Sequence, residues 1–233
     1  MSIGRFIGGS ANYHLDGNSN DSSGNSLNGT DFNVSYSRAD GYFDQGASFS
    51  NGTSSSGSAT DYIRVDNNSV LSPGSGNFTI FSWFKTTDTN ASNREFVRKY
   101  GSNTNNTYFL GKDTTHHLVF STRDGDGDSV SAVSPDTIND GVWRLATGVR
   151  DGTTAYLYIN GELVDSDTNV SLGTIDVNSA GYYLWIGTFG TNTVGPPNVG
   201  WVGQVDEVYL DISRAWSAGQ IKRWYAWTQG KLD

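Results

Sequence analysis

The hydrophobic rhythm of the chain changes along its length. Residues 1–60 are weakly patterned and rich in Gly, Ser, Asn and Asp, with two short strand candidates at 11–15 and 46–50. From residue 61 apolar and polar positions alternate with the period of two that marks a half-buried strand. DYIRV (61–65) sets Tyr62 and Arg64 against Ile63 and Val65. NFTIFSWFK (77–85) is apolar on both faces, with Phe78, Ile80 and Phe84 on one and Phe81 and Trp83 on the other. Such a strand belongs in the middle of a sandwich or under a second layer. EFVRKY, TYFLGK and HLVFST follow, and SNTNNT (102–107) and DGDGD (124–128) read as hairpin loops. VWRLATGVR (142–150), TAYLYIN (154–160) and ELVDS (162–166) are joined by Asp151-Gly152 and Asn160-Gly161. These dipeptides supply the positive φ angles of tight hairpins. YYLWIG (182–187) and QVDEVYLD (204–211) are the last strands; in the latter the alternation slips at Asp206-Glu207, which predicts a bulge.

One helix is predicted. Ser217 and Gln220 have the spacing of a capping box, Ile221, Trp224, Tyr225 and Thr228 share a face, and Gly230 is placed to end it. That aromatic face is expected to pack on the strands. The whole reads as all-β: a two-sheet antiparallel jelly-roll sandwich with one short C-terminal helix. An N-terminal arm of residues 1–12 precedes a single domain over 13–233.

Composition narrows the chemistry. None of the 233 residues is a cysteine, which excludes disulfides, thiolate metal sites and cysteine nucleophiles. With 15 basic and 24 acidic residues the net charge is −9, a field that repels nucleic acid and anionic membranes. No apolar run is long enough for a transmembrane helix, and the first residues lack the pattern of a signal peptide. Of the acids, Glu95, Glu162 and Glu207 are the glutamates and the rest are Asp, which suits turns and oxygen-ligand metal sites.

The strands also carry motifs in a recognisable order. LDGNSNDSSGNSLNG (15–29), QGASFSNG (45–52) with DYIRV, FTIFSWFK, GVWRLATGVRDGTTAYLYINGELV and WVGQVDEVYLDISRAWSAGQI together resemble the concanavalin A-like, laminin-G-like jelly-roll domains. The match runs over about residues 13–227, and Trp143-Arg144 replaces the family's usual Trp-His. The family includes carbohydrate-binding modules, adhesion domains, glycoside hydrolases, polysaccharide lyases and virion surface proteins, so the fold does not fix the activity.

Catalysis finds little support. Glycoside hydrolysis needs two carboxylates flanking one bond, and three widely separated glutamates cannot supply the Glu-x-Asp-x-Glu arrangement of this fold. The pairs Asp165/Asp167 and Asp124/Asp126/Asp128 sit at turns, where solvated Asp is ordinary. Of the adjacent His116 and His117 at most one faces a groove, and His14 stands alone.

The resemblance implies a structural calcium held by Asp16 and Asp206, with backbone carbonyls near Gly52. The alternative is that Asp16 opens an Asx turn and Asp206 meets a backbone amide. Asp124-Gly-Asp126-Gly-Asp128 mimics the start of a calcium loop but lacks its distal Glu, and equally reads as a hairpin. For a glycan, Trp201 is the leading ring, because it follows the long loop GTNTVGPPNVG (190–200); Tyr183, Tyr108 and Tyr100 are further candidates. Trp83, Trp143 and Trp185 are expected in the core. The expected function is a non-catalytic recognition module for a polysaccharide or cell-surface glycan, on a virion or other extracellular surface. The alternatives are a decoration protein that contacts virion proteins or itself without binding glycan, and a polysaccharide-degrading enzyme. Neither nucleic acid nor membrane insertion is expected.

Overall fold

The computed structural model describes residues 9–50, 59–100, 105–189 and 199–229. One antiparallel sheet has eight strands: β1 (Ala11–Tyr13), β3 (Ser35–Ser37), β4 (Gly46–Phe49), β6 (Phe78–Lys85), β11 (Arg144–Asp151), β12 (Thr154–Ile159), β13 (Glu162–Thr168) and β17 (Gly203–Asp211). Its order is β13-β12-β11-β6-β17-β4-β3, and β1 also pairs with β17. The second sheet has seven: β2 (Gly29–Phe32), β5 (Tyr62–Val65), β7 (Arg94–Tyr100), β8 (Thr107–Lys112), β9 (His117–Arg123), β10 (Ser129–Thr137) and β14 (Leu184–Ile186). They run in the order β10-β9-β8-β7-β14-β5-β2. A short ribbon joins β15 (Thr188–Phe189) to β16 (Val199–Gly200), and α1 spans Ala218–Thr228. Among the described residues, no helix is long and apolar enough to cross a membrane.

The two faces read from residues 77–85 are the two layers of the molecule. Phe78, Ile80 and Phe84 point into the core between the sheets, beside Ile63, Val65, Leu110, Phe120 and Leu184. Phe81 and Trp83 point the other way, into a second cluster with Leu145, Tyr209 and Ile221 of the helix. The helix therefore covers the outside of the eight-stranded sheet. It is capped as predicted: Gln220 N donates to Ser217 Oγ, and Ser217 N donates back to Gln220 Oε1. Ile221 and Thr228 of its predicted face are buried, and Trp224 and Tyr225 half-buried.

The predicted irregularities fall where expected. Asn160 and Gly161 turn the β12–β13 hairpin at φ +52° and +83°. At Glu207, φ is +49°, and the β17–β6 register shifts between Asp206 and Tyr209. This bulge divides the far edge of β17: Gly203–Val205 pair with β4, whereas Val208–Leu210 pair with β1. Residues 11 and 12, assigned above to the arm, thus lie inside the sheet.

Candidate functional site

With the helix on the eight-stranded sheet, the outer side of the seven-stranded sheet is, among the described residues, the open one. Residues there alternate with those in the core. Ile63, Val65, Leu184, Ile186, Val97, Leu110 and Phe120 face inward, so their neighbours along each strand face out. The registers align Thr30, Arg64, Trp185, Arg98, Phe109, Ser121 and Ser131 in one row across all seven strands. Cations and rings alternate along its middle. The Arg64 guanidinium lies 5.6 Å from the Phe32 ring centre and 4.9 Å from that of Tyr183. Arg98 lies 4.4 Å from Tyr100 and 5.7 Å from Phe109. Trp185 is buried in edge-on contact with Tyr62 and Tyr183. Such cation–π contacts hold the guanidinium planes against the rings.

Glu95 fixes the other side of Arg98, whose Nη1 donates at 2.7 and 2.6 Å to the two carboxylate oxygens. Burial pushes the Glu95 pKa up, against the pull of Arg98. Glu95 also lines a depression of about 190 Å³, with Asn93, Phe109, Lys112, Asp113 and Val119 around it. The Phe109 ring is half-buried. This corner joins an apolar ring to carboxylate, amide and ammonium groups, the combination that binds a polar ligand with apolar faces.

The predicted ligand residues divide between this face and the interior. Tyr100 and Tyr183 lie on the open face, half-buried against the two arginines. Trp201 does not form a rim. It is fully buried, 5.0 Å from the Phe96 ring and 6.1 Å from Phe84, with its backbone N–H on Gly187 O. Tyr108 is also fully buried, because its strand parity points it inward, where its hydroxyl donates to Leu71 O. Neither ring is available to a ligand. Trp83 and Trp185 are buried as expected, though Trp185 lies on the open face, and Trp143 is half-buried.

The carboxylates proposed for calcium are turned onto backbone amides. Asp206 Oδ2 accepts from Tyr42 N and Phe43 N at 2.8 and 2.9 Å, and Oδ1 from Glu207 N at 2.8 Å. Burial, and then the neighbouring Glu207, push its pKa well above the usual carboxylate range. Asp16 Oδ1 accepts from Gln45 N at 3.1 Å, so both acids hold the 42–45 loop. Gly52 lies outside the described residues. A cation at Asp206 would meet N–H donors rather than oxygens, so this arrangement does not fit calcium. Asp124 likewise caps its own hairpin: Oδ1 accepts from the amides of Asp126, Gly127 and Asp128, and Oδ2 from Gly173 N. Among the described residues no group of three His, Asp or Glu side chains is placed to hold a metal.

The remaining acids have structural partners. Asp165 and Asp167 accept the Val133 and Ser131 amides of edge strand β10, at 2.7 and 3.1 Å, and so tie the two sheets together. Each glutamate has a cationic or imidazole neighbour: Glu95 with Arg98, Glu162 with Lys222, and Glu207 with His14 at 2.8 Å. His116 lies in a turn, 3.4 Å from Lys112 Nζ, and His117 beside Asp113.

Two antiparallel sheets, a helix on one and an aromatic face on the other define a lectin-type jelly roll. The chain belongs to the concanavalin A-like lectin/glucanases superfamily, whose family model matches residues 56–222. No curated protein sequence matches it. Among solved structures it is similar to the binding domain of Paraclostridial Mosquitocidal Protein 1, with TM-score 0.69, 19% identity, and 88% of this chain and 48% of that one covered. Domain 4 of AbnA, a GH43 extracellular arabinanase from Geobacillus stearothermophilus, solved with arabinotriose, aligns at TM-score 0.62 and 19% identity, over 92% and 96%. The binding domain of Botulinum neurotoxin DC, in complex with SialylT, aligns at TM-score 0.67 and 14% identity, over 94% and 51%. This chain spans about half the length of the two toxin binding domains. At these identities the likeness is one of fold.

No local pattern in the sequence marks Arg64, Arg98, Glu95 or Phe109 as site residues. Alternation in DYIRV set Arg64 on the outward side, but the row depends on register between strands from residue 30 to residue 131, which no local pattern carries.

Proposed function

We propose that this protein is a non-catalytic recognition module that binds a polysaccharide or glycoconjugate across the open face of the seven-stranded sheet, on a virion or other extracellular surface. The observation that carries this reading is the row of rings and guanidinium groups leading to the Phe109 depression. Sugar rings have apolar faces that stack on aromatic rings, and hydroxyls that bond to flanking polar groups. At about 190 Å³ the depression is smaller than a drug-sized pocket and suits a single residue of a longer chain. Two structures of similar fold, with arabinotriose and with SialylT, support a carbohydrate ligand.

A non-enzymatic role is supported by the acids. Glu95, Glu162 and Glu207 have cationic or imidazole partners, and Asp124, Asp165 and Asp167 serve backbone amides. A protein-contact role would call for a broad apolar patch. Among the described residues the exposed large apolar side chains are only five, Val70, Val133, Val142, Leu163 and Val170. The surface setting rests on the sequence resemblance to virion and adhesion domains, and absence of the protein from purified particles would remove the virion part of it. A glycan array with and without calcium tests the binding. A defined sugar class bound under both conditions is expected; no binding on a broad array overturns the reading.

A further inference from the structure

The two arginines of the row differ in their partners. Arg98 is engaged by Glu95. Among the described residues Arg64 has no close acceptor. Its nearest carboxylate is Asp66, whose Oδ1 is 3.9 Å from Nε and whose side chain is 85% exposed. That distance is beyond a hydrogen bond, and an exposed pair of this kind contributes little. Arg64 Nε is buried with no hydrogen-bond partner, and so is Nε1 of its cross-strand neighbour Trp185. Buried donors without acceptors are rare in folded proteins. The guanidinium is nonetheless fixed in place, between the Phe32 and Tyr183 rings, and 22% of the side chain reaches solvent. An arginine held between two rings with its donors unengaged presents a fork matched to a planar oxyanion.

We propose that Arg64 reads a carboxylate on the bound glycan, so that the ligand is an acidic polysaccharide of the uronic or sialic type rather than a neutral one. This rests on the reading of the open face as a glycan site. Arg64 and Phe109 stand in the same row with β14 and β7 between them, three strand intervals or about 14 Å apart. One oligosaccharide therefore reaches both, its carboxylate on Arg64 and a further ring in the Phe109 depression. The carboxylate displaces the exposed Asp66 and binds the part of the guanidinium that reaches solvent.

The test uses polygalacturonate, hyaluronan, alginate and polysialic acid, each beside its carboxyl-reduced twin, with dextran sulfate as the sulfate arm. Affinity for the whole chain and for Arg64→Gln and Arg64→Lys is measured by calorimetry, with a melting curve on each variant. An acidic member is expected to bind about tenfold more tightly than its reduced twin, the value of one charge-assisted hydrogen bond. Arg64→Gln brings the two to equal affinity, and Arg64→Lys, which keeps the charge but loses the fork, retains a small part of the preference. Equal binding of acidic and reduced twins by the wild type overturns the carboxylate assignment and leaves the glycan site intact. So does an acidic preference unchanged in both folded variants. Dextran sulfate bound as tightly as the polyuronates overturns the choice of carboxylate over sulfate. Binding of no member, acidic or neutral, overturns the glycan site and this assignment together.

Discussion

Replacing Asp206 with Ala tests what the buried acid of the β17 bulge does. Its two oxygens accept three amide N–H groups, from Tyr42, Phe43 and Glu207, at 2.8 to 2.9 Å. The side chain is fully buried. Each lost hydrogen bond is worth about 1 kcal/mol, so Asp206→Ala is expected to cost about 3 kcal/mol. For a chain of this length that lowers Tm by roughly 6–12 °C. The loop also places the Tyr42 ring on Trp83, with centres 3.5 Å apart, so tryptophan fluorescence is a second readout. Asp206→Asn keeps one oxygen and should lose less. Thermal unfolding of wild type and both variants, with EDTA and with added calcium, is the assay. The wild-type Tm should not move on chelation. A fall of several degrees with EDTA, absent in Asp206→Ala, would mean that the carboxylate serves a cation, and would refute the amide-clamp reasoning.

Two further predictions concern the interior. A Cβ on Gly148 of β11 would lie 2.2 Å from Cδ2 of the buried Phe120 across the core, so Gly148→Ala should cost about 1–3 kcal/mol by overpacking, read as a lower denaturation midpoint. Lys99 is buried with its Nζ on Asn67 Oδ1 and Tyr182 O, and burial lowers its pKa to about 7. The unfolded chain holds that proton up to about pH 10.4. Between these values the unfolded state binds more protons, so this residue makes stability rise with pH from about 7 to 10. Lys99→Met should flatten that part of the pH–stability curve, and an unchanged slope would refute the assignment.

What was legible in the sequence was what local periodicity and turn chemistry determine. The double-sided strand at 77–85 showed both layers because each of its faces is buried in a different cluster. The Asn160-Gly161 turn, the Glu207 bulge and the Ser217 cap are each set by a few adjacent residues. Strands β2 and β3 were not legible: they are short, and all seven of their residues are Gly, Ser, Thr, Asp or aromatic. β10 gives a weak signal because Val130, Ala132 and Val133 are its apolar residues apart from Pro135, around which its register breaks. Trp201 misled because a segment with two adjacent prolines, outside the described residues, precedes it, yet its ring fills the core beside Phe96. Tyr108 and Phe109 are adjacent, so choosing the wrong one of the pair reverses which ring reaches the open face. Only the burial of Tyr108 fixes that parity.

The central claim is that glycan binds the open face of the seven-stranded sheet. The most direct measurement is the affinity of wild type, Phe109→Ala and Tyr156→Ala for one glycan that binds on the array. Tyr156 lies on the other face, in a depression beside the helix N-terminus with Tyr158 and Trp216, and so serves as the control. Taking the value of a ring stacked on a nucleic-acid base, about 1–3 kcal/mol, as the scale for a sugar-stacking ring gives a loss of roughly 5- to 150-fold in Kd. The account predicts that loss in Phe109→Ala, with Tm retained, and wild-type affinity in Tyr156→Ala. Wild-type affinity in Phe109→Ala, or a loss confined to Tyr156→Ala, would contradict it.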